Sequence, residues 1–120
     1  MNNQYFRYKK YKNCFFEVGN YKNNLQAMSI VLKNESGSLE LILTVNKPNY
    51  LYYPDTATIK NYSENGGITD FLEKLGIVEE IYSRVKAHSL ALKSETIDYC
   101  AINIEKLKQY SKKFKYKWEF

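Results

Sequence analysis

Two strand-like runs, LQAMSIVLK (25–33) and SLELILTVN (38–46), stand only four residues apart. No other feature limits the fold as much. In the second run Leu39, Leu41, Leu43 and Val45 share one face, and Glu40, Ile42, Thr44 and Asn46 share the other. That is the two-residue period of a strand. Asn34, Glu35, Ser36 and Gly37 between the runs have the chemistry of a tight turn. So short a link cannot cross over a sheet, and the pair must be an antiparallel hairpin.

Around this hairpin the pattern alternates between strand and helix. KNCFFEVGNY (12–21) reads as a strand closing at a Gly-Asn turn, and TATIKNY (56–62) as another. The prolines and asparagine of KPNYLYYPD (47–55) predict a loop that carries Tyr50, Tyr52 and Tyr53. Residues 67–77 place Ile68, Phe71, Leu72 and Leu75 on one helical stripe, with Thr69 as a cap near Glu73 and Gly76 as the stop. Residues 79–92 and 96–104 predict two further strands, and 104–114 a short helix. In 114–120, Phe114, Tyr116, Trp118 and Phe120 alternate with Lys115, Lys117 and Glu119, a last strand with one aromatic face. The expected class is α+β: an antiparallel sheet of five to six strands with two short helices packed on it. A chain of 120 residues has room for one domain. Its parts are a basic-aromatic segment (1–12), an α+β body (13–112) and a basic-aromatic C-terminal strand (113–120).

Charge is concentrated at the ends. Arg7, Lys9, Lys10 and Lys12 make residues 1–12 +4, and six lysines against Glu119 make 106–120 +5. Between them eight basic and twelve acidic residues leave −4, so the basic character belongs to two short segments. No apolar run is long enough for a membrane span, and no apolar stretch follows the basic N-terminus as in a secretory signal. A cytoplasmic protein is expected.

Catalytic signatures are missing. Cys14 and Cys100 are too few for a zinc site or a disulfide framework and sit in apolar runs, so buried free thiols are expected. The single histidine, His88, falls on the polar face of a predicted strand, and the adjacent Glu79 and Glu80 would point to opposite faces. Residues 64–67 (Glu-Asn-Gly-Gly) precede a helix but match no nucleotide-binding pattern. The expectation is a non-enzyme without cofactor or metal.

The candidate site is therefore the pair of basic-aromatic ends. Lysine and arginine neutralise phosphates, and aromatic rings stack on exposed bases. At the N-terminus the candidates are Tyr5, Arg7, Tyr8, Lys9, Lys10, Tyr11 and Lys12. At the C-terminus they are Lys113, Lys115, Lys117 and Trp118. The plainer reading of 114–120 is a packed edge strand with its lysines outward, and the clean alternation favours it. YFRYKKYK (5–12) lacks that period. A partner-binding strand or arm and a solvated tail are balanced there.

The run from Val18 to Leu107 resembles an uncharacterised family of small proteins carried on plasmids, integrative elements and phages of Gram-positive and gut bacteria. The resemblance rests on VGNYKNNLQAMSIVL, LILTVN, GITDFLEKLGIVE and IDYCAINIEKL, in that order. Where that family has a Gly-rich aromatic segment after the helix, this chain has YSRVKAHSLALKSE. The resemblance implies mobile DNA as the setting, and it brings no catalytic residues. Small proteins of such elements often act by stoichiometric binding. The expected function is an anti-defence (anti-CRISPR) inhibitor that binds a CRISPR effector or another host nucleoprotein complex and blocks guide or target engagement. The alternative is an accessory protein that binds RNA or single-stranded DNA.

Overall fold

The predicted hairpin forms the middle of the larger of two sheets. The computed structural model describes residues 4–47 and 50–118. In it β2 (Tyr11–Tyr21), β3 (Asn24–Lys33) and β4 (Leu39–Ile42) run antiparallel in succession. On its far side β2 is shared by two strands: β1 (Phe6–Tyr8) pairs with its first half, and β8 (Ser111–Phe114) with its second. The β2–β8 pair is parallel, the one parallel pairing among the described strands. The smaller sheet has the order β5 (Thr56–Asn61), β7 (Thr96–Ile102), β6 (Val78–Lys86), all antiparallel. The α+β class is the expected one, with eight described strands in two sheets.

Residues 43–45 join the sheets. Leu43 N donates to Ile30 O of β3 (2.9 Å), while Leu43 O accepts from Lys60 N of β5 (2.8 Å) and Val45 N donates to Thr58 O (3.0 Å). The two sheets thus curl around one core. Phe16, Ile30, Leu32, Leu43, Ile59, Leu72, Ile77 and Leu107 belong to a single cluster and have no exposed surface. Burial of each such side chain contributes about 1.5–3 kcal/mol.

Helix α1 (Ile68–Lys74) presents Ile68 and Leu72 to this core. Its cap comes from elsewhere than the sequence predicts. Asn61 Oδ1 at the end of β5 accepts from Gly67 N (3.1 Å) and Thr69 N (3.2 Å), while the Thr69 hydroxyl turns inward. Gly76 stops the helix as expected, at φ +79°, where a side chain would be strained. Helix α2 (Ile104–Gln109) is capped by Asn103 Oδ1, which accepts from Lys106 N (3.0 Å). It ends earlier than predicted because Ser111 already lies in the sheet. Strand β6 stops at Lys86 rather than continuing to residue 92, and exposed His88 lies in the bend after it. No helix among the described residues is long and apolar enough to cross a membrane.

Candidate partner-binding face

The octet YFRYKKYK contains a hairpin turn. Tyr8 pairs with Tyr11 across Lys9 and Lys10, and Phe6 pairs with Cys14. Lys9 has φ +53° and Asn13 φ +51°. The turn and the bulge at Asn13 break the two-residue period that a continuous strand would show. Phe6 and Tyr8 consequently face the core, and Arg7 projects to solvent.

This arrangement separates the candidate residues. Tyr8 is only 4% exposed, its ring packs 4.8 Å from that of Phe71, and its hydroxyl donates to Gly66 O (3.5 Å). Its ring is part of the core, not of a contact surface. Tyr11 is half-buried against the same core. Lys9 Nζ is directed onto the protein itself, donating to Gly66 O (2.9 Å). Lys10 lies exposed in the turn, 5.6 Å from the Tyr11 ring.

Tyr5, Arg7 and Lys12 remain on the outer face, where with Phe6 and Asn13 they line an open depression of about 420 Å³. Tyr5 is 43% exposed. Lys112 Nζ lies 4.6 Å from the centroids of both Tyr5 and Phe15 and donates to the Tyr5 hydroxyl. This cation–π sandwich holds an ammonium group at the seam between the two basic ends. Lys112 was absent from the candidate set because its neighbour Lys113, not Lys112, shares the period of Lys115 and Lys117.

The C-terminal candidates extend the same outer face. Lys113 pairs across from Glu17, and with Lys115 it flanks a trough of about 390 Å³ floored by Gly19, Ser29 and Val31. Glu17 accepts from Lys33 (2.9 Å), which places its charge against β3. Beyond β8 the chain stays extended. Lys115 N donates to Val18 O (2.8 Å), and the Asn20 amide grips the Lys117 backbone as a strand would, accepting from Lys117 N (2.9 Å) and donating to Lys117 O (2.8 Å). Lys113, Lys115 and Lys117 are exposed, Tyr116 is buried and Trp118 is half-buried. Outward lysines and inward rings, read from the alternation, are thus observed up to Trp118, but the strand itself is Ser111–Phe114, not the predicted 113–120. Past Phe114 the segment is held by isolated contacts to Val18 and Asn20 rather than by a continued ladder. Phe120 and Glu119 lie outside the described residues. Across the sheet Leu39 and Ile42 are also exposed, so one broad face carries cations along one side and aliphatic groups along the other.

A second cluster, which sequence reasoning missed, lies under the smaller sheet. Asp98 is completely buried. Arg84 Nε donates to its Oδ1 (2.9 Å) and Nη2 to its Oδ2 (3.0 Å), and Thr69 Oγ1 donates to Oδ2 (2.6 Å). The Asp98 carboxylate raises the Arg84 pKa, and burial, reinforced by the Asp98 charge, pushes the Cys100 thiol up to about 12. In TIDYCAINI the signal was present: Asp98 shares a strand face with Cys100 and Ile102, and a carboxylate there demands donors. Its hydrogen-bonding capacity is spent inside the protein. The recess beside it, about 190 Å³ with Asn61, Asp70, Arg84 and Lys93 among its lining, mixes both charges. This is a structural tie between α1, β6 and β7.

The tyrosine loop forms a third cluster. Tyr52 is buried, its hydroxyl accepting from Lys47 N (3.0 Å) and paired with Thr58 Oγ1 (2.8 Å), and its ring meets Tyr99 edge-on at 5.9 Å. Tyr53, Pro54, Thr56, Tyr82 and Tyr99 line a cleft of about 370 Å³. Both cysteines are buried free thiols, as expected. Among the described residues no three His, Cys, Asp or Glu side chains converge as a metal site.

No family model matches this chain, and no curated protein or solved structure matches it. The residues themselves therefore carry the functional argument.

Proposed function

We propose that this chain is a non-enzymatic, stoichiometric binding protein of a mobile element or phage, and that it inhibits a host nucleoprotein defence complex such as a CRISPR effector. One observation carries the reading: Lys112, Lys113 and Lys115 lie with Tyr5 and Arg7 on the open face of the larger sheet. A row of cations on an open β-face suits a phosphate backbone, and exposed rings suit unstacked bases or a partner's apolar rim. The exposed aliphatics Leu39 and Ile42 on the same face favour a partner that is part nucleic acid and part protein. Binding there would occupy the surface on which guide or target strands run. The inhibitor would act inside the bacterial cell, with no cofactor.

Binding to an assembled effector and to its naked guide RNA, each at low and high salt, tests this. The expected result is much tighter binding to the assembled complex, weakened when Lys112, Lys113 and Lys115 are changed to alanine. Equal affinity for naked RNA, falling steeply with salt, would establish the accessory nucleic-acid-binding alternative instead. Affinity purification from a host expressing its defence systems that recovers neither protein nor nucleic acid would sink both readings.

A further inference from the structure

The tyrosine cleft of the smaller sheet has no part in the reading above. Tyr53 and Pro54 come to it from the loop before β5, and Thr56, Tyr82 and Tyr99 from β5, β6 and β7. The β6–β7 register fixes its face. Cys100 and Ile102 belong to the core, so Tyr99 and Ala101 turn away from it, with Ser83 opposite Tyr99 and Glu80 opposite Ala101. The cleft therefore lies on the outer side of the sheet.

Hydrogen bonds and ring contacts hold its walls in place. The Tyr99 hydroxyl accepts from Tyr53 N (3.0 Å) and donates to Leu51 O (3.4 Å), and Thr56 Oγ1 donates to Tyr53 O (2.7 Å). The Tyr99 ring meets those of Tyr50, Tyr52 and Tyr82 at 6.0, 5.9 and 5.8 Å. Yet Tyr53 and Tyr82 leave 59% and 55% of their surface in water. Rings fixed in this way and left exposed bind at a low ordering cost.

Charge says what such a surface takes. Glu80, with Glu79 in the bulge beside it, is exposed on the same face, and exposed Asp55 follows Pro54. The cations of β6 point elsewhere: Arg84 and Lys86 stand opposite Asp98 and Thr96, on the core-facing side, and Arg84 is bound to Asp98. Lys60, the basic residue of β5 on the outer face, sits at the far end opposite Ile97 and pairs with Glu64 (2.8 Å). Aromatic faces edged by carboxylates attract a cation. The Tyr82 and Tyr99 rings are tilted by 50° and form an open wall rather than a closed box. A planar guanidinium can lie flat on such a wall and still direct its N–H groups at a carboxylate, whereas a compact ammonium holds its water.

We propose that this cleft is a docking site for an arginine side chain of a protein partner, with the guanidinium stacked on Tyr82 and Tyr53 and hydrogen-bonded to Glu80. The site is separate from the lysines of the larger sheet and does not depend on their role.

An acetylated arginine–glycine repeat peptide, titrated into the full chain and followed through the tyrosine ring resonances by NMR, tests this. The expected result is a saturable shift of Tyr53, Tyr82 and Tyr99 in the millimolar range or tighter. Tyr82→Ala and Glu80→Gln should each weaken binding roughly fivefold or more. Both positions are exposed, and circular dichroism verifies that the variants fold. Citrulline in place of arginine keeps the shape without the charge and should abolish the shifts. Lysine in its place should bind several-fold more weakly. A lysine peptide that binds as tightly would reduce the cleft to an acidic patch and overturn the proposal. A trimethyl-lysine peptide that binds more tightly than arginine would overturn it in favour of a methylammonium cage. The absence of saturable shifts, or binding indifferent to both variants, would overturn it as well.

Discussion

YFRYKKYK and KKFKYKW have nearly the same composition, and they dock on the same strand, β2. Their fates differ. The N-terminal octet folds back on itself, antiparallel, and commits Phe6 and Tyr8 to the core. The C-terminal segment runs parallel to β2, slips in register once at Lys112, and from Lys113 onward alternates, leaving Lys113, Lys115 and Lys117 in water. Basic and aromatic content therefore does not decide what such a segment does. The backbone decides: a turn at Lys9 and Lys10 draws one lysine onto Gly66, whereas a segment that alternates from Lys113 onward holds its lysines outward.

The sharpest way to break this comparison is to remove one ring from each end. Tyr8→Ala and Tyr116→Ala should each destabilise the fold by about 3 kcal/mol or more, the usual cost of deleting a buried aromatic side chain. Tyr5→Ala should cost under about 1 kcal/mol, because its ring lies at the surface. Denaturant unfolding monitored by fluorescence and circular dichroism measures all three. A Tyr8 variant as mild as the Tyr5 variant would mean that the N-terminal hairpin is not part of the core.

How much of this was legible in the sequence follows the range of the interactions involved. The β3–β4 turn and the Gly76 stop are written in adjacent residues, and they are where the pattern placed them. The second strand, however, ends at Ile42 rather than Asn46, and a register slip beside Lys33 turns Leu39 outward, off the face of Leu41 and onto that of Ile42. The outward lysines of 113–117 were also legible, since period two alone sets a face. The N-terminal turn was not, because neither Lys9 nor Lys10 is a turn-forming residue and the sheet imposes the positive φ at Lys9. Nor was the α1 cap, which arrives from Asn61 while the local candidate Thr69 serves Asp98 instead. Lys112 was overlooked for a related reason: its role depends on Tyr5, 107 positions away.

A milder perturbation isolates the C-terminal segment. Asn20 holds Lys117 with two hydrogen bonds and also donates to Leu25 O (2.6 Å). Asn20→Ala should cost about 1–2 kcal/mol. Amide exchange should accelerate at Lys117 while the β1–β2 hairpin amides stay protected. Equal acceleration at both ends would show that they unfold as one unit, and the contrast between them would then be geometric only.

The smallest effect lies in the alkaline range and reports whether the C-terminal segment stays docked. Burial raises the Tyr116 phenol above its ordinary value, an effect only partly offset by the hydrogen bond that it accepts from Asp55 N (3.0 Å). In the unfolded chain the same phenol titrates near its ordinary value of about 10. As pH rises past that point the unfolded state loses a proton that the folded state keeps, so the unfolded state binds fewer protons and stability must fall. Tyr21, Cys14 and Cys100 are raised as well and add to the same slope. Tyr116→Phe removes one contributor. It should lower stability near neutral pH through the lost hydrogen bond, and above about pH 10 its stability should decline less steeply than that of the parent chain. Unfolding free energies measured across pH 8 to about 11 provide both slopes. Parallel slopes would mean that the Tyr116 ring ionises as freely in the folded protein as in water. The C-terminal segment would then be the mobile end, and the N-terminal hairpin the only one of the two built into the fold.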